Sequence, residues 1–220
     1  MTDFARARRT MVDCQIRPND VPDSRVVDAF LATERERFVP GDKHVLAYLD
    51  RDVPLGGGRQ PRALTSPMVL AKLIHAAGVR PTDRALVVGA ASGYSAAILS
   101  HLCQSVVALE ADESLIALGK SALTEVANVS LVSGPLEAGV PQSGPYDVIL
   151  VDGSVEGVPG AVFAQLRDGG RLVAVVGAGR TGRATVYVKS GGDVAGRIAF
   201  DAAAPSLPGF ARPPAFSFQF

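Results

Sequence analysis

Gly89, Gly93 and Glu110 stand at the spacing a nucleoside grip requires. Gly89-Ala-Ala-Ser-Gly93 is a run of small residues, and a minimal side chain lets backbone approach a ligand closely. Glu110 follows about twenty residues later, at the end of the apolar run Val106–Leu109, where an acid can meet the two hydroxyls of a ribose. Thr65 and Ser66 supply two hydroxyls ahead of Pro67, and Asp152 places a second acid at the end of another apolar run. The small turn and Glu110 suit the holding of a nucleoside. They do not suit nucleophilic catalysis: His44, His75 and His101 show no base pattern, and Cys14 and Cys103 lack metal or redox spacing. No metal site is expected.

The glycine spacing separates two kinds of ligand. A dinucleotide turn carries G-x-G-x-x-G, which seats a pyrophosphate on the helix N-terminus. This chain has Tyr94 after Gly93 and no third glycine, which disfavours a nicotinamide oxidoreductase. S-adenosylmethionine has a ribose and no phosphate, so the small turn and the acid are sufficient for it. The competing reading of the turn is a tight strand-to-helix connection with no ligand, and Glu110 argues against it. For Thr65 and Ser66 the competing reading is helix capping alone, with Pro67 in the first turn.

The elements that must position these groups follow from periodicity. Ala85–Val88, Val106–Leu109, Val129–Val132, Tyr146–Asp152 and Arg171–Val176 read as buried parallel strands, with Tyr146–Asp152 central. Helices are expected over Met68–Ala77, Ser95–Cys103, Glu113–Val126 and Gly157–Leu166, the last stopped by Gly169-Gly170. Before them, Phe4–Cys14 and Ser24–Thr33 read as helices, with Asp23 capping the second. Residues 41–63 read as a long Gly/Pro-rich loop, a length that is usually functional or disordered. After Gly177 the pattern changes to a hairpin, Ala184–Lys189 and Gly196–Phe200 about Ser190-Gly-Gly-Asp193. The tail beyond Ala204, with Phe210, Phe216, Phe218 and Phe220, reads as an edge strand and a loop. Strand and helix alternate over residues 68–176, which predicts an α/β, mostly parallel doubly wound sheet. The expected organisation is a single compact domain: N-terminal helices and loop over 1–64, a cofactor-binding core over 65–176, and C-terminal strands and tail over 177–220.

Composition bounds the partners. The 220 residues carry 22 basic and 22 acidic side chains, which excludes the broad basic footprint of a nucleic-acid binder. No stretch has the apolar length of a membrane span, and MTDFARARRT lacks a signal-peptide core. Two cysteines without a pairing pattern make a reduced, cytoplasmic setting the expectation.

Several segments, in order, carry a resemblance: Arg35-Glu-Arg-Phe-Val-Pro40, Ala47-Tyr-Leu-Asp50, Val53-Pro-Leu-Gly-Gly-Gly58 and Thr65-Ser-Pro-Met-Val-Leu-Ala71. Gly89-Ala-Ala-Ser-Gly-Tyr94, Glu110, Gly144-Pro-Tyr-Asp-Val-Ile-Leu-Val151 and Gln165-Leu-Arg-Asp-Gly-Gly-Arg-Leu-Val173 complete it. Over nearly its whole length the chain resembles the protein-L-isoaspartate O-methyltransferases, as a divergent bacterial member or paralogue. The resemblance implies a Rossmann-like methyltransferase fold with extra N-terminal helices and a C-terminal antiparallel hairpin. It implies S-adenosyl-L-methionine as cofactor and an isoaspartyl protein or peptide as substrate. It also implies cofactor contacts from Gly89, Ala91, Ser92, Gly93, Tyr94, Glu110, Ala111, Pro135, Leu136 and Asp152, and substrate positioning by Thr65 or Ser66. The chain departs from the family pattern at four places: Ala91 for a glycine, Val87 for an acid, Pro135-Leu136 for Asp-Gly, and Thr65-Ser66 for Ser-Gln. They set out the alternatives of a non-catalytic paralogue or a methyltransferase for another carboxylate.

Overall fold

The computed structural model of the chain describes residues 3–56, 61–177 and 181–211. The first helix, α1 (Phe4–Met11), is capped by the Asp3 carboxylate and runs on through a wide turn, Val12–Ile16. Helix α2 (Ser24–Ala32) has Asp23 at its cap, accepting the Arg25 N–H as the sequence predicts. The segment read as one long loop is built differently. Gly41–Leu46 is a short helical turn, and β1 (Val53–Gly56) pairs antiparallel with β2 (Arg62–Leu64). Residues 57–60, at the centre of the expected loop, lie outside the described residues, as do Phe216, Phe218 and Phe220.

Helix α3 (Pro67–Ala77) ends at Gly78, whose left-handed conformation lets the chain turn back. Then strand and helix alternate: β3 (Arg84–Val88), α4 (Tyr94–Ser100), β4 (Ser105–Glu110), α5 (Glu113–Ala122), β5 (Val129–Ser133) and β6 (Tyr146–Val155). The helix expected over Gly157–Leu166 is only α6 (Gly160–Ala164), and Gly169-Gly170 is not its stop. Both glycines lie inside β7 (Leu166–Val176), where backbone pairing with β6 already begins at Tyr146 opposite Leu166. Strands β8 (Arg183–Ser190) and β9 (Asp193–Asp201) form the expected hairpin.

The seven-stranded sheet has the order β5-β4-β3-β6-β7-β8-β9, parallel from β5 through β7 and antiparallel beyond. Chain direction reverses its lateral progress between β3 and β6, so a crevice opens at the carboxyl ends of those strands. Alternate residues of each strand face opposite sides. Val87, Leu150 and Val173 enter the larger core, with the N-terminal helices, α3 and α4. Leu86, Ile149 and Leu172 enter a second core, covered by α6, short turns and the segment carrying Leu207 and Phe210. The described part of the tail, residues 205–211, is not an edge strand. It meets the end of β6 through one isolated parallel bridge, Ser154 to Ser206, and among the described residues the sheet's edges are β5 and β9.

Candidate functional site

The turn and the acid predicted from sequence come together at the crevice. Strands β3 and β4 are parallel with Val88 beside Leu109, so the turn after one lies against the end of the other. The N–H groups of Gly89 and Ala90 both donate to Leu109 O. Gly89, Ala91 and Gly93 all have positive φ, at 79°, 51° and 93°. Two glycines satisfy this without strain, whereas Ala91 holds it with a Cβ. The Ala91 N–H donates to Glu110 Oε2 at 2.7 Å, tying turn to acid.

Ser92 and Tyr94 face the N-terminal region rather than the crevice. The Ser92 hydroxyl donates to Phe38 O at 2.5 Å. The Tyr94 ring is fully buried among Phe30, Phe38 and the Arg35 guanidinium, 4.6 Å from its centroid. Burial pushes the Tyr94 phenol up to about 12. Ala111 contributes a backbone N–H to Glu110 Oε1, Pro135 is exposed, and Leu136 is buried in the second core.

Glu110 is wholly buried and its carboxylate is fully subscribed. Oε1 accepts from the N–H groups of Ala111 and Asp112, and Oε2 from Ala91 N–H and from Arg62 Nη2 at 2.9 Å. A carboxylate offers about four acceptor sites, so a ribose diol finds none free here. Arg62 also donates to Gly89 O at 3.1 Å. Leu207 lies over the glycines: a Cβ placed on Gly89 or Gly153 would stand 2.8 or 2.7 Å from its Cδ2. The buried acid and the small turn suit a ribose, and Arg62 and Leu207 stand against them on the side from which a ribose would reach Glu110.

Beside this cleft, the Thr65 hydroxyl donates to Asp152 Oδ1 at 2.6 Å, both residues being buried. Burial raises the Asp152 carboxyl above its ordinary range, against the opposing pull of the Thr65 hydroxyl and of the Arg62 and Arg35 charges. Arg35 is fully buried and joins the parts, donating to Ala47 O at 2.7 Å and Thr65 O at 2.9 Å. The capping expectation for the hydroxyls fails. Ser66 occupies the cap position of α3 without a side-chain cap bond, and its own N–H is taken by Asp52 at 2.9 Å. Burial raises the Asp52 carboxyl too. Ser66 instead borders an open cavity of about 520 Å³, with Asp50, Asp52, Lys72, Phe200 and Asp201.

Sequence reasoning missed Arg62, Arg35 and Leu207. A single arginine in a Gly/Pro-rich segment carries no periodic signal, and Arg35 sits in a charged run ending at a proline, where nothing local marks it for burial. Among the described residues no group of three His, Cys, Asp or Glu side chains is placed to hold a metal ion.

Comparison with known proteins gives a consistent result. The family model for Protein-L-isoaspartate(D-aspartate) O-methyltransferase (PCMT) matches residues 6–203. A Koribacter versatilis Protein-L-isoaspartate O-methyltransferase is 36% identical over 179 residues, 80% of this chain and 79% of the relative. One from Methylorubrum extorquens is 40% identical over 179 residues, 80% of this chain and 76% of the relative. Among solved structures, a protein-L-isoaspartate O-methyltransferase superposes with a TM-score of 0.82 at 25% identity. The match covers 92% of this chain and 66% of that one, so about a third of that protein lies beyond it. A Plasmodium falciparum structure in complex with S-adenosyl-L-homocysteine shares the fold, with a TM-score of 0.76 at 17% identity over 94% of this chain and 99% of that one.

Proposed function

The chain belongs to the protein-L-isoaspartate(D-aspartate) O-methyltransferase family, and from that premise we propose how its crevice serves S-adenosylmethionine-dependent methylation of L-isoaspartyl carboxylates in damaged proteins or peptides. The observation that carries the reading is the bond from the Ala91 N–H to Glu110, which holds a phosphate-free nucleoside grip together at the sheet's switch point. The departure at Ala91 does not dismantle that grip, because the residue keeps the positive φ a glycine would adopt.

The acceptor asks little of the protein in acid–base terms. A free carboxyl titrates near pKa ~4, so an isoaspartyl side chain is ionised at neutral pH and needs no general base. When bound, the cofactor supplies an electrophilic methyl group. The task of the protein is to hold the carboxylate in line and to exclude water. Thr65 has its one hydroxyl proton committed to Asp152, so its role is to position that acid. Ser66, whose residue borders the open cavity, is the hydroxyl available to a substrate carboxylate, with Lys72 as a nearby cation. No described helix is long and apolar enough to cross a membrane, and the substrate is taken to reach this cavity from solution.

The test is the peptide dependence of donor turnover. S-adenosylhomocysteine formation should rise on adding an isoaspartyl peptide and stay at background with the aspartyl twin. Equal stimulation by both would assign the cavity to another carboxylate. Ser66→Ala should lower turnover while leaving S-adenosylhomocysteine binding unchanged, since a lost alignment contact acts on the reaction and not on donor affinity.

A further inference from the structure

We propose that Arg62 and Leu207 form an internal plug in the donor cleft, standing where ribose and donor would lie until the donor displaces them. The proposal deepens the donor-binding reading above and rests on it. Three observations converge. Arg62 takes the last acceptor position on Glu110, the one not used by backbone N–H groups. Leu207 covers the bare faces of both Gly89 and Gly153, at the carboxyl ends of the two strands that flank the switch point. Among the described residues, the segment that brings Leu207 there is held to the end of β6 by two backbone bonds, Ser154 N–H to Pro205 O at 2.7 Å and Leu207 N–H to Ser154 O at 2.9 Å.

The plug has the features of a replaceable occupant. Arg62 is 4% exposed, and its Nε and Nη1 have no partner among the described residues. Both of its bonds to the cleft leave from Nη2, to Glu110 and to Gly89 O, so withdrawal of that one nitrogen frees the acid. The Leu207 segment adds one bridge rather than a ladder to the sheet, so its opening is opposed mainly by the burial of Leu207 and Phe210 in the second core and little by backbone pairing. Donor and plug thus compete for one site, and the apparent dissociation constant exceeds the intrinsic one by the inverse of the open fraction. Donor binding in turn frees Pro205 and Leu207 from the end of β6.

Two measurements with S-adenosylhomocysteine test this. Calorimetric titration of the full chain should show Leu207→Ala and Arg62→Met binding about tenfold more tightly than the wild type, or better, as a shift of the open fraction requires. Hydrogen exchange on the wild type should show the amides of Ser154 and Leu207 losing protection at saturating ligand. Exchange decides if Arg62→Met fails to fold. Retained protection at saturation, or equal or weaker affinity of Leu207→Ala, overturns the plug while leaving the donor site intact. Absence of binding by wild type and variants alike overturns the donor reading itself, and the plug with it.

Discussion

At the scale of single residues, the ion pair between Arg62 and Glu110 is the most consequential contact in the cleft, with side chains 4% and 1% exposed. Removing one partner leaves a buried charge uncompensated, at a cost of about 3–5 kcal/mol. Glu110→Gln and Arg62→Met should each lower stability by that order in urea denaturation, and the double variant should recover much of the loss. Additive losses would show the two groups to be energetically independent. Asp152 gives a pH prediction. Burial raises its folded carboxyl above the unfolded value, so the folded state binds the proton more tightly. Its favourable contribution is full below the unfolded pKa and is lost as pH rises through the raised one. Asp152→Asn keeps the acceptor for Thr65 and removes the titration. Its stability should therefore fall less than that of the wild type from about pH 4 upward, leaving Asp52 as a second raised carboxyl. An unchanged pH slope would contradict this. Gly89, Gly93 and Glu110 were legible in the sequence because turn chemistry and strand-end acids leave a local signature. Arg62 was not, because its role comes from tertiary placement alone.

At the scale of elements, the turn between β3 and α4 combines two strain-free glycines with one strained alanine. A non-glycine residue in the left-handed region costs about 1–2 kcal/mol, part of which a glycine returns through the entropy of the unfolded chain. Ala91→Gly should raise stability by up to about 1 kcal/mol, read as a higher melting temperature; a lower one would mean that the Ala91 methyl packs productively. The end of β6 makes the opposite prediction. A Cβ on Gly153 would stand 2.7 Å from both Leu207 Cγ and Pro205 O, at φ 153°. Gly153→Ala should lower stability by about 1–3 kcal/mol, the scale of overpacking, and should loosen exchange at Leu207. The parallel strands, α3 and the β8–β9 hairpin were readable from periodicity and turn residues, and α2 from its cap as well. The β1–β2 pairing was not, because a strand of three residues, Arg62–Leu64, offers too short a pattern to set a period. The over-long reading of α6 has a related cause. Apolar residues between Gly157 and Leu166 suit helix and strand alike, and pairing with β6 claims the last of them.

At the scale of the whole molecule, the N-terminal third is part of the machinery. Arg35 bonds Ala47 and Thr65 while its guanidinium lies on Tyr94, so one buried side chain links the first helices, the hydroxyl pair and the glycine turn. The resemblance over nearly the full length could place these segments in order, and the family match over residues 6–203 bears it out. It could not foresee that Leu207 packs against Gly89 and Gly153, since that depends on Leu207 reaching across from the far end of the sequence. The central claim is selective methyl transfer to isoaspartyl carboxylates. Its most direct measurement is a competition in one tube: the full chain, S-adenosylmethionine, and equal amounts of an isoaspartyl peptide and its aspartyl isomer distinguished by an isotopic label, with methyl esters followed by mass spectrometry. Methylation confined to the isoaspartyl isomer is the predicted result; ester on both isomers at similar rates, or on neither while S-adenosylhomocysteine binds, would contradict it.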